Sequence, residues 1–137
     1  MANFKTDAFR NLIFGAGMAF ASATIGYALI DTGTDAATAA DDFMNDVTAG
    51  AIIARTANLA SKTVGTVAAG TIDAADPVAS AVTGATVEQL VLCENTGTAS
   101  IDDIYCAWDT GVTGLPATPN GGDITVQINA SGIIAAS

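Results

Sequence analysis

Two short runs have the form that a carboxylate catalyst needs. Asp31-Thr32-Gly33 and Asp109-Thr110-Gly111 each follow an apolar run, Ala28-Leu-Ile and Ala107-Trp. Aspartic proteases use two such triplets so that two carboxylates share one proton. Asp-Thr-Gly is equally a turn that closes a strand, and a chain of 137 residues is far shorter than a two-lobed protease. The turn reading is adopted here. Aspartates also cluster at Asp41, Asp42 and Asp46, at Asp73 and Asp76, and at Asp102, Asp103 and Asp109. Calcium favours carboxylate-rich loops, but none of these runs follows the EF-hand pattern. Cys93 and Cys106 fall on two neighbouring strand-like runs. A hairpin centred near residue 99 or 100 brings them opposite each other, at disulfide distance; the other reading is two small buried thiols. The chain has no histidine, which removes Ser-His-Asp and Cys-His nucleophiles and His-ligated metals. A phosphate loop, a dinucleotide fingerprint and a serine elbow are all missing from the sequence. The expectation is therefore a non-enzyme without cofactor or metal.

The charge balance narrows the partners. Fourteen acids against four bases give a net charge of −10. Half the residues are apolar, 6% are aromatic and 13% are charged, against about 25% charged in an average globular domain. So few bases give no footprint for a nucleic acid or an anionic membrane. The apolar content is too high for a disordered acidic tail. All four bases, Lys5, Arg10, Arg55 and Lys62, precede residue 63, and eight acids with no base follow it. That asymmetry suggests a nearly neutral docking part and an acidic, outward-facing body.

The elements that position these residues read as short strands. Leu12 to Ile30 is an uncharged stretch of 19 residues after Lys5 and Arg10, which has the outline of a signal peptide or a membrane span. Its many Gly, Ala, Ser and Thr residues make it a poor span. It divides better into an N-terminal arm over residues 1–23 and a first strand at Thr24–Asp31, opening a single domain over 24–137. The arm carries Phe4, Phe9, Leu12, Ile13, Phe14 and Phe20. Such an apolar set must be covered, and docking on a neighbouring subunit is expected. Asp41–Val47 predicts one or two helical turns burying Phe43, Met44 and Val47. Strands are predicted at 51–57, 62–67, 78–82, 86–94, 104–109, 123–129 and 132–135. A run over 70–77 ends in a turn at Pro77. Turn signals every 10 to 14 residues and at most one short helix predict an all-β fold: an antiparallel β-sandwich or jelly-roll-like barrel of about eight strands.

In this order, the runs become a pattern. Thr24–Asp31, Asp42-Phe43 with Asp46-Val47, and Ile72-Asp-Ala-Ala-Asp76 are followed by Leu90-Val-Leu-Cys-Glu-Asn-Thr-Gly97. Ile104-Tyr-Cys-Ala-Trp-Asp-Thr-Gly111 and Gly121-Gly-Asp-Ile-Thr-Val-Gln-Ile128, with Gly132-Ile133, complete it. From about residue 24 to 135 the chain resembles a group of small virion structural proteins of tailed bacteriophages. Cys93-Glu94 stands where that group often carries Tyr-Lys, and Ile128 where it often carries Trp. The resemblance implies a capsid decoration or cement protein on the capsid exterior. Its partners would be the major capsid protein and copies of itself, as a homodimer or homotrimer. A tail, neck or fibre-associated virion protein and a secreted glycan-binding β-sandwich are the alternatives.

Overall fold

Every residue of the segment Ile25–Ile30 is buried. A strand buried on both faces needs cover on both, and the rest of the chain supplies it. The computed structural model describes residues 3–6, 19–69 and 71–135. Its strands are β1 (Phe4–Lys5), β2 (Ile25–Ile30), β3 (Ile52–Arg55), β4 (Thr63–Val64), β5 (Thr71–Asp73), β6 (Val78–Ala79), β7 (Gln89–Glu94), β8 (Ile104–Trp108), β9 (Ile124–Thr125) and β10 (Ile134–Ala135). The main sheet has the order β1-β8-β7-β2-β3 and is antiparallel throughout. The smaller sheets β10-β5-β4 and β6-β9 are also antiparallel. The fold is all-β and sandwich-like; it is not a closed barrel.

Alternation along β2 separates two cores. Ile25, Tyr27 and Leu29 join one cluster with Leu90, Leu92, Tyr105 and Val126. Ala28 and Ile30 join the other with Val91, Cys93, Ile104 and Ala107. The small sheets and the 109–123 loop supply partners on the first side, among them Ala79, Ile72, Leu115 and Ile124. On the second side the cover is the connection from β2 to β3, through Ala37, Met44, Val47 and Ala51.

That connection contains no α-helix, contrary to the expectation over 41–47. Phe43 forms an isolated bridge to Asp103. One oxygen of Asp46 accepts the N–H groups of Asp42 and Phe43, both at 3.0 Å. A carboxylate that takes local N–H groups offers the backbone an alternative to helix. Met44 and Val47 are buried as expected, while Phe43 is 38% exposed. The only helical turn among the described residues is a 3-10 turn at Ala49–Ala51.

Gln89 ties this irregular cover to the sheet. It is buried, donates to the Ala37 carbonyl at 3.1 Å and accepts from the Ala37 N–H at 3.0 Å. Its amide thus pairs a loop peptide as a neighbouring strand would. Gln89→Leu keeps the volume but leaves both buried Ala37 groups unpaired. The expected loss is about 2–4 kcal/mol, read as a lower urea midpoint with an unchanged slope.

Candidate functional site

The carboxylates that attracted chemical readings are mostly bound within loops. Asp31 accepts from the Gly33 N–H at 2.9 Å and from the Thr34 hydroxyl at 2.7 Å, which makes the first triplet an Asx turn. The second triplet is fastened from outside. Asn3 Oδ1 accepts from the Asp109 and Thr110 N–H groups, and Asn3 Nδ2 donates to the Thr110 carbonyl. The two triplets end β2 and β8, with β7 between them. Two strand spacings come to about 10 Å, whereas two carboxylates sharing a proton must touch.

Among the described residues, eight carboxylates are seen to accept a backbone N–H in this way. Asp35 holds Thr48, Asp41 holds Thr38, Asp76 holds Ile128, Glu88 holds Thr32 and Asp123 holds Ala81, besides Asp31, Asp46 and Asp102. The hydrogen bonds from Thr48 lower the Asp35 pKa. Among the described residues, no group of three or more acids, cysteines or histidines is arranged to hold a metal.

The largest polar assembly lies at the end of the sheet where β7 turns toward β8. Asp102 is fully buried and receives Arg55 Nη1 at 2.6 Å, while the Arg55 side chain is 22% exposed. The other Asp102 oxygen accepts from the Thr96 N–H and hydroxyl. Arg55 also donates to Asn95, whose amide continues to the Thr56 carbonyl and Asn58. Gly26 gives the network room: a Cβ there would lie 3.0 Å from Asn95 Nδ2 and 3.3 Å from Thr56 Oγ1. Burial opposes the Asp102 charge, but the bonds from Thr96 and Arg55 outweigh it and hold its pKa below the ordinary value. Next to it, Asp103 shifts the other way, through burial and the charges of Asp42 and Asp102.

The cysteines lie on opposite faces of the sheet. Leu92 stands across from Cys106 and Cys93 across from Ile104, with a bulge between. Cys93 packs in one core and Cys106 in the other. Both are free and buried, and burial pushes the Cys93 thiol up to about 12.

Two of the six apolar arm residues are seen, and the chain's own body uses both. Phe4 lies on β1, which pairs with β8 (Phe4↔Ala107), and packs against the second core. Phe20 is 3% exposed within the first core. Phe9, Leu12, Ile13 and Phe14 lie outside the described residues. Thr6, which extends β1, is fully buried and donates its hydroxyl to the Ile104 carbonyl. Sequence reasoning missed Asn3, Thr6, Gln89 and Asn95. Of these only Gln89 directly adjoins an apolar run, Leu90-Val-Leu-Cys93, and that adjacency was the available signal. Among the described residues, the exposed large apolar side chains are Phe43, Val64, Val67 and Ile101.

No protein-family model matches the chain, and no curated protein matches it.

Two measurements follow from this network. Asp102→Asn weakens the pairing with Arg55 and costs about 2 kcal/mol or more at pH 7. The folded pKa of Asp102 lies below its unfolded value near 3.8. Its contribution is therefore complete above about pH 4 and is lost as pH falls through the folded value. Denaturation curves from pH 7 down to about pH 2 should lose stability over that range, and less steeply in Asp102→Asn. Iodoacetamide at about pH 8 should leave Cys93 unmodified until denaturant unfolds the chain.

Proposed function

We propose that this chain is a structural protein of a tailed-bacteriophage virion. It would sit on the capsid exterior as a decoration or cement protein stabilising the major capsid shell at capsomer junctions. The observation that carries the reading is the ordered set of strand-and-turn motifs from Leu90–Gly97 through Ile104–Gly111 to Gly121–Ile128. These runs supply β7, β8, β9 and the turns that close them. The way polar groups are used also supports it. Carboxylates staple loops and amides pair backbone, which makes a small rigid body whose value lies in its shape and surface.

A cement protein acts by adding interface across a junction, and a well-packed contact of standard size buries about 1,600 Å². Phe9, Leu12, Ile13 and Phe14 are the apolar docking candidates that the described core does not include. The acid-rich remainder after Lys62 suits an exterior surface and would repel packaged nucleic acid. Partners on this reading are the major capsid protein and further copies of the chain around a symmetry axis.

The test is imaging of intact particles with and without the protein, combined with a heat and chelator challenge. Density at two-fold or three-fold capsomer junctions, and earlier particle rupture without the protein, is the expected result. Density restricted to the tail or neck overturns the capsid placement, and no association with particles overturns the virion reading.

A further inference from the structure

Over the face of the main sheet that carries Tyr27, the 111–133 segment leaves an open cleft of about 550 Å³. Buried core side chains form its floor. Trp108 is half-buried and lines the wall, its ring centroid 6.1 Å from that of Tyr27 with the planes inclined by 50°. Thr113, Thr125, Gln127 and Asn129 are exposed residues that also line it. The side chains of Thr113, Thr125 and Gln127 make no hydrogen bond among the described residues. Among the described residues, none lining the cleft carries a charge, in a chain whose net charge is −10.

We propose that this cleft binds a neutral oligosaccharide of two or three sugar units. The volume falls within the roughly 300–1,000 Å³ of small-ligand sites. A sugar ring presents an apolar C–H face and a rim of hydroxyls that both donate and accept. An indole against an apolar floor matches the face, and hydroxyl and amide side chains match the rim because they too donate and accept. A phosphorylated or carboxylated ligand finds no counter-charge here and meets an acidic body that repels it. A hydrocarbon chain would strip water from the polar rim without replacing those hydrogen bonds. The inference does not depend on the virion reading, because it concerns the cleft alone.

Maltotriose, lactose and tri-N-acetylchitotriose are titrated into the full chain, with two readouts. One is fluorescence of Trp108, the single tryptophan; the other is the set of backbone amide shifts. At least one sugar should change the emission saturably, with amide shifts concentrated in residues 108–133. Gln127→Ala and Thr125→Ala, both at exposed positions, should weaken that binding about fivefold or more without moving the thermal midpoint. Val64→Ala, on β4, should leave it unchanged. No saturable response to any of the three sugars up to about 20 mM overturns the proposal. Shifts centred outside residues 108–133, or affinity unchanged in both cleft variants, overturn it as well.

Discussion

The architecture depends on one constraint: β2 is buried on both faces. Each large aliphatic side chain withdrawn from water contributes about 1.5–3 kcal/mol, so both faces of the main sheet favour burial. Antiparallel sheets often leave one face wet, and the chain here covers both with little regular structure. Small sheets of two-residue and three-residue strands lie on one side. A connection of nearly irregular backbone lies on the other. Irregular backbone against an apolar face must satisfy its own N–H and C=O groups, and that need explains the polar residues close to the core. Gln89 pairs Ala37, Asp46 pairs the 42–43 backbone, and Thr6 reaches the Ile104 carbonyl.

The acidic composition has the same origin. Asp and Glu are short acceptors that bind loop N–H groups without a partner strand. A fold built from short strands and many turns has many such groups to satisfy. Most of the negative charge is therefore bound into the architecture, and the charge of the surface is a consequence of it. The cost appears where acids crowd. Asp103 sits beside Asp42 and Asp102, and burial together with their charges raises its pKa, opposite in direction to Asp102. Arg55 neutralises one carboxylate at that end and leaves the others to solvent screening.

Strands were legible where β-branched runs end in Thr-Gly or Asn-Thr-Gly, and β2, β3, β7 and β8 lie inside their expected spans. Register was not legible. A hairpin centre between residues 99 and 100 pairs Cys93 with Cys106, whereas the observed Leu92↔Cys106 pairing centres it on 99. Because side chains alternate with period two, that difference sends the cysteines to opposite faces. The bulge at Tyr105 is equally silent in the sequence, yet it puts Tyr105 and Cys106 in the same core. The helix expected over 41–47 failed for a related reason. Aspartate at its start reads as a cap, but Asp46 further along competes for the same N–H groups. Phe20 shows the limit of composition: an aromatic in a segment that looks like a free arm is a core residue because β2 needs cover at its start.

Function was less legible than fold, because this chain uses its reactive side chains for structure. The Asp-Thr-Gly pair, the aspartate clusters and the cysteines each had a chemical reading, and the triplets, the cysteines and several of the clustered aspartates are engaged in a turn, a network or a core. Among the described side chains without a hydrogen bond are exposed threonines and a glutamine around a cleft beside Trp108. No motif marks that cleft in sequence, because its wall comes from the end of β8 and its rim from a loop and the run through β9 that alternation alone describes. In a fold whose charged groups are largely engaged in holding loops, the proposed recognition would rest on shape and neutral polar contacts. Such contacts are set by how the 111–133 segment crosses the sheet, a tertiary feature that a single sequence does not encode locally.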